Sequence, residues 1–251
     1  MKSSMENLIR VADNIYLVPG PRNGQFPYCH CFLFTGGENI LLDAGADEEL
    51  LADLDKDVGI DTLVISHTHP DHIRRWHIFD QRRIIIPEES PDSVFDMDSL
   101  GLRFTGSADS GVHWAEVVAR SSGIRALRQP DARYSEGHVF NNGSVLLQAI
   151  HAPGHLDDHY CFFEHNSGTL ITIDIDFTSF GPWYGNPEGR IRPFIKSIER
   201  VMGLPYKRAC SSHRMPFEGD AAELFNAYLD SFERQKGEVL SLVKGGLPLR
   251  N

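Results

Sequence analysis

Short apolar runs rich in branched and aromatic residues recur along the chain, each cut off by glycine, proline or asparagine. Runs of that length and composition read as β-strands. Asn14-Ile15-Tyr16-Leu17-Val18 is the first, stopped by Pro19-Gly20-Pro21, and a loop rich in glycine, proline and aromatics continues to Tyr28. Cys31-Phe32-Leu33-Phe34 and Asn39-Ile40-Leu41-Leu42 flank Gly36-Gly37, a hairpin signal. Residues 47–57 alternate acids with leucines at helical spacing and predict an amphipathic helix. Thr62-Leu63-Val64-Ile65 and Ile84-Ile85-Ile86 are further strands. A second series begins at Val139-Phe140, turns at Asn141-Asn142-Gly143 and continues through Ser144 to Ile150, Tyr160-Cys161-Phe162-Phe163 and Thr169-Leu170-Ile171-Thr172-Ile173. Helical patterns cover 194–202 and 219–243. The stretch 88–135 has no clear period, with Val112 to Arg120 its best helix candidate. Both halves repeat one plan, strands in hairpins followed by helices. That plan predicts a two-sheet sandwich with helices outside.

Chemistry-bearing residues fall where strands end. Ser66-His67-Thr68-His69-Pro70-Asp71-His72 follows directly on the strand at 62–65, so its histidines sit on a loop at a carboxyl end, where α/β folds place ligands. Neutral imidazole and carboxylate suit zinc, iron and manganese. An i, i+2 spacing fits a loop better than a helix, where ligating pairs stand three or four apart. Such a loop can turn His67 and His69 toward one ion and Asp71 and His72 toward another. Asp43 and Asp174 also end strands, His155 lies in a turn after a strand, and His213 falls between the helical stretches 194–202 and 219–243.

Composition narrows the function. The net charge of −11 disfavours a broad basic surface for nucleic acid. Cys29, Cys31, Cys161 and Cys210 form no Cys-x-x-Cys pair and read as reduced thiols. No apolar run approaches the length of a membrane span, and the amino-terminal residues lack the apolar segment of a secretory signal. A cytoplasmic protein is the expectation.

Five motifs in order give this chain a specific likeness. Leu41-Leu42-Asp43-Ala44-Gly45, His67-x-His69-x-Asp71-His72, Ala152-Pro153-Gly154-His155, Leu170-Ile171-Thr172-Ile173-Asp174 and Ser211-Ser212-His213 together resemble the metallo-β-lactamase fold superfamily, over roughly residues 14–213. The resemblance implies an α/β fold, a four-layer αββα sandwich of two mixed sheets, as one domain over 1–251. The insertion at 88–135 and a helical carboxyl-terminal extension at 219–251 would be additions to it. It implies two metal ions, Zn2+ by default with Fe or Mn acceptable. His67, His69 and His155 would hold one, Asp71, His72 and His213 the other, and Asp174 would bridge them. Asp43 would hydrogen-bond a ligand imidazole. The chain departs from the family pattern in having Ile173 before the bridging aspartate, where glycine is usual, and Ile73-Arg74-Arg75 after the motif. Asp176 rivals Asp174, and His159 lies beside the site.

The expected reaction is attack by a bridging hydroxide on a small ester, thioester or lactone, with Asp71 orienting the nucleophile and Tyr184 donating to the oxyanion. Phe26, Tyr28, Phe177, Phe180, Trp183 and Tyr184 would form a largely aromatic mouth, which favours a compact, partly apolar acyl group. A nuclease or phosphodiesterase of the same fold and a mononuclear iron persulfide dioxygenase are the alternatives. The insertion would cap the pocket or serve contact between copies in a homo-oligomer.

Overall fold

A computed structural model of the chain describes residues 4–119, 122–217 and 221–245. Seven strands build the first sheet in sequence order: β1 (Ile9–Ala12), β2 (Ile15–Val18), β3 (Cys31–Phe34), β4 (Ile40–Leu42), β5 (Thr62–Val64), β6 (Arg83–Pro87) and β7 (Ala132–Tyr134). Antiparallel pairing up to β4 gives way to parallel pairing from β4 to β7. The second sheet has the order β12-β11-β10-β9-β8, made of β8 (Val139–Asn141), β9 (Leu146–His151), β10 (Tyr160–Glu164), β11 (Thr169–Ile171) and β12 (Arg208–Cys210). Only β11 and β12 run parallel in it. The main helices are α1 (Glu48–Asp57), α2 (Met97–Thr105), α3 (Ala108–His113), α4 (Ile191–Met202) and α5 (Ala221–Lys244).

The period-two alternation of side chains along a strand sorts the apolar residues into three cores and so four layers. Phe32 and Phe34, Ile40 and Leu42, Val64 and Ile85 point inward, where they meet Leu147, Phe162 and Ile171 of the facing sheet. Their neighbours Leu33, Leu41, Leu63, Ile84 and Ile86 point outward and pack against Leu51 and Leu54 of α1. On the far side Cys161, Phe163 and Leu170 pack against Phe194 and Ile198 of α4 and Phe225 and Phe232 of α5. Helix α1 starts where Asp47 accepts from the amides of Glu49 and Leu50, an N-cap. The αββα sandwich expected from the sequence is the fold observed.

The stretch 88–135 differs from a single irregular insertion. It contains α2, α3 and a π-helical segment Trp114–Ala119, and it ends in β7, a strand of the first sheet paired with β6. The added structure therefore lies between β6 and β7. The helix expected at 112–120 is divided between the end of α3 and the π-helical segment, with residue 120 outside the described set. Residues 219, 220 and 246–251 of the expected carboxyl-terminal extension also lie outside it. No helix among the described residues is long and apolar enough to cross a membrane.

Gly154, in the turn between β9 and β10, is held at φ +127°, and a Cβ there would stand 2.2 Å from the amide nitrogen of Phe194. Gly154→Ala should destabilise the fold by about 2 kcal/mol or more, lowering Tm by about 4–8 °C for a domain of this size. A thermal melt followed by circular dichroism reads this directly. An unchanged Tm would show that α4 moves off the turn without cost.

Candidate metal centre

Four strand ends and one turn deliver the site. Because β4 and β5 run parallel, Asp43 and the loop Ser66–His72 leave the first sheet at the same edge. Because β11 and β12 run parallel, Asp174 and His213 leave the second sheet side by side. There Thr172 N donates to Cys210 O at 2.8 Å and Ser212 N to Ile173 O at 3.1 Å. The β9–β10 turn brings His155, and Tyr160 N joins the two sheets by donating to Ser66 O at 3.2 Å. Gly45 lets the chain after β4 press against the motif loop, since a Cβ there would meet Asp71 O at 1.9 Å.

The structure brings all seven expected ligands together. His69 Nδ1 lies 3.0 Å from His67 Nε2 and 2.8 Å from His155 Nε2. Asp174 faces that group with one oxygen, Oδ2, at 3.1 Å from His155 and 3.5 Å from His67. Its other oxygen, Oδ1, stands 3.0 Å from His72 Nε2 and 3.3 Å from His213 Nε2. Asp71 Oδ2 completes the second group at 3.5 Å from His213 and 3.9 Å from His72. Asp176 does not take the bridging place: its carboxylate accepts from the amide and hydroxyl of Thr178. Burial pushes its carboxyl up, more than His213 draws it down.

Hydrogen bonds on the outer ring nitrogens aim the inner ones. His72 Nδ1 donates to Asp43 Oδ2 at 2.8 Å, His155 Nδ1 to Trp183 O at 2.8 Å and His213 Nδ1 to Gly24 O at 2.6 Å. Each bond fixes the ring so that its Nε2 points at the centre, the arrangement that orients metal-ligating histidines. Asp43 carries two bonds besides, from Ser66 N and Ser66 Oγ, each at 2.8 Å, as a buried carboxylate requires.

This donor set fits cations. His72 Nε2 and Asp174 Oδ1 are buried with no hydrogen-bond partner, although they stand 3.0 Å apart. The pair calls for positive charge between or on its members, and a metal ion there would take both as ligands. The local field agrees. Burial alone would depress His72, yet Asp174, Asp43 and Asp71 outweigh it and hold the ring well above its usual range. Burial is likewise outweighed at His213, which Asp174 and Asp71 raise to about 9. His67 and His69 move the other way, because burial and neighbouring imidazoles outweigh Asp174, and rings kept neutral are good ligands.

His159 supports the centre without joining it. Its Nδ1 donates to Ala152 O at 2.9 Å and its Nε2 accepts from Asp174 N at 3.3 Å. Burial and the nearby His155 lower it to about 3, so the ring stays neutral and holds the backbone of Asp174. That backbone follows Ile173 at φ +53°, the position where the family pattern has glycine.

A cleft of about 550 Å³ opens above the ligands. Phe26, Phe180 and Trp183 line it as expected, joined by Phe104, Trp114 and Ile124 from the segment between β6 and β7. Tyr28, Phe177 and Tyr184 are placed elsewhere. Arg74 stacks on Tyr28 at 4.4 Å, and Phe177 is buried against Phe225. The Tyr184 hydroxyl donates to Gln235 at 2.7 Å, with its ring on Phe232. The oxyanion role expected of Tyr184 is therefore corrected, because its hydroxyl is committed outside the cleft. Arg74 donates to Pro27 O, and Arg75 to the carbonyls of Ser122 and Gly123, so both tie loops together. Asn186 was not foreseen. Its side-chain amide touches His69 Nε2 and it lines the cleft, but a lone asparagine in a Gly/Pro loop carries no sequence signal.

Comparison with known proteins adds kinship. An uncharacterized protein of Aquifex aeolicus is 29% identical over 167 residues, covering 66% of this chain and 72% of its own length. The acyl-coenzyme A thioesterase MBLAC2 of Bos taurus is 28% identical over 148 residues, 56% of this chain. The match spans only 50% of that relative's length. Among solved structures, the metallo-beta-lactamase family protein TTHA1429 of Thermus thermophilus superposes with a TM-score of 0.72 at 20% identity, over 93% of this chain and 84% of that one. The sequence pattern of the Metallo-beta-lactamase superfamily matches residues 24–213. That span reaches from the loop before β3 to the last ligand, His213, and the chain belongs to this superfamily.

Proposed function

We propose that the protein is a binuclear metal-dependent hydrolase that cleaves a small thioester or ester with an apolar acyl group, lactones being a related class. The observation that carries this reading is the cleft. Around the convergent ligands its walls are apolar and aromatic, and no lysine or arginine lines it among the described residues. An enclosed apolar wall with few polar groups suits a neutral acyl chain. The name of the bovine relative, an acyl-coenzyme A thioesterase, favours the thioester.

His67, His69 and His155 would hold one ion, Asp71, His72 and His213 the other, with Asp174 reaching both. Zinc suits this set by default, and iron or manganese is compatible with nitrogen and oxygen ligands. Two such cations acidify a water and polarise a carbonyl oxygen. The chain's own residues do the rest. Asp71 lines the cleft, so its carboxylate accepts a hydrogen bond from the attacking water and aligns it. Asn186, also in the lining, offers an amide donor toward the developing oxyanion. Phe104, Trp114 and Phe180 exclude solvent and orient the acyl group. A mononuclear iron centre would leave the convergence of Asp71, His72 and His213 without a role. A nuclease would need a basic track for the phosphate backbone, and the cleft offers none. The four cysteines are free and buried, which suits a reducing compartment, and we place the enzyme in the cytoplasm with a small-molecule substrate.

Asp71→Ala should lower kcat by about a hundredfold or more, the scale on which loss of a metal-centre partner acts, with an unchanged circular dichroism spectrum. Near-wild-type kcat would remove Asp71 from the chemistry. With zinc and with manganese at low salt, acyl thioesters, esters and lactones should turn over. RNA, single-stranded DNA and bis-nitrophenyl phosphate should not. Cleavage of the nucleic acids with every carbonyl compound inert would replace this reading with the nuclease. Trp114→Ala should raise KM for a medium-chain acyl thioester about tenfold while leaving an acetyl thioester within about twofold, as expected for one lost apolar contact. Equal effects on both would place the acyl chain elsewhere.

A further inference from the structure

Arg103 lies on α2, in the segment between β6 and β7, yet its guanidinium reaches the metal loop. Its side chain is only 6% exposed. One nitrogen donates to Thr68 Oγ1 at 2.6 Å, and the fork closes on Glu188 at 2.5 and 2.8 Å. Thr68 in turn donates to Asp158 Oδ2 at 2.5 Å, as does Ser90 at 2.9 Å, and Arg103 lies 3.5 Å from the other oxygen of Asp158. Asp158 is fully buried.

The four segments joined here meet around His69. Thr68 stands between His67 and His69, so its hydrogen bonds to Asp158 and Arg103 hold the backbone that carries both ligands. Glu188 lies two residues after Asn186, whose amide touches His69 Nε2. Phe104 follows Arg103 and sets its ring 5.4 Å from that of His69. Asp158 belongs to the turn that carries His155 and borders His159, which holds Asp174 N. We infer that Arg103 is a positioning residue, which sets the His67–His69 loop for metal by fixing Thr68 against the His155 turn and the loop bearing Asn186. The added helices between β6 and β7 are thereby part of the metal centre, besides walling the cleft.

Only Arg suits this place. The planar fork meets a carboxylate and a hydroxyl at once, which the point charge of lysine cannot reproduce. Zinc affinity, measured by competition with a chromogenic chelator, separates positioning from general support of the fold. Thr68→Val removes the hydroxyl while Arg103 stays paired with Asp158 and Glu188, so it tests the link without stranding a buried charge. It should weaken zinc binding about 10–100-fold, the range for partners that orient ligands. Arg103→Met should fall in the same range and Arg103→Lys between it and wild type. The double variant should bind no more than about threefold worse than the weaker single, since coupled positions are not additive. Arg82→Met serves as the control, because it removes a forked pair with Asp55 that no metal-site residue shares and should leave zinc affinity within about twofold, as for an independent site. If Arg103→Met fails to fold, Thr68→Val decides alone. Zinc affinity within twofold of wild type in Thr68→Val, or fully additive losses in the double variant, overturns the inference.

Discussion

The structure turns on the carboxylate of Asp174, buried between two groups of imidazole nitrogens. Its Oδ1 faces His72 and His213, and its Oδ2 faces His155 and His67. Outer hydrogen bonds to Asp43, Gly24 O and Trp183 O commit the rings of His72, His213 and His155 to one tautomer. So many acceptors converging out of water are unfavourable unless positive charge sits among them. Folding and metal binding are thus coupled: the sheets place the ligands, and a bound metal would offset the cost of burying them.

That coupling explains which parts of the molecule were legible in its sequence. Ligands must occupy strand ends in both sheets, so His67, His69, Asp71 and His72 appear as a compact motif and His155 and Asp174 each follow an apolar run, while the short strand β12 before His213 left no such sign. The central strands also show, because a strand buried on both faces is apolar throughout. β1 and β7 escaped notice for the opposite reason. Ile9-Arg10-Val11-Ala12 is a partly exposed edge, and Ala132-Arg133-Tyr134 has one buried residue in three. Helices α2 and α3 were hidden by glycines at 101, 106 and 111, although Asp96 and Ser107 cap them.

The cleft shows where local reading gives out. Phe26, Phe180 and Trp183 could be assigned to the mouth because they lie in loops next to ligands. Tyr184, equally near in sequence, turns away to Gln235 and Phe232 of α5, a contact that no nearby residue announces. Phe104 reaches the cleft only because α2 folds back over His69, with Trp114 of the following segment against it, and Arg103 on α2 lies 35 positions from Thr68. Residues that act through long-range packing leave no periodicity and no motif.

The central claim is that two metal ions share Asp174. It is tested most directly by anomalous diffraction from a crystal of the zinc-loaded protein, with data on both sides of the zinc edge. Two peaks should appear about 3.5–4 Å apart, one among His67, His69 and His155 and the other among Asp71, His72 and His213, each within about 2.2 Å of a different oxygen of Asp174. A single peak at full zinc loading, or two peaks with Asp174 bonded to neither, would refute it.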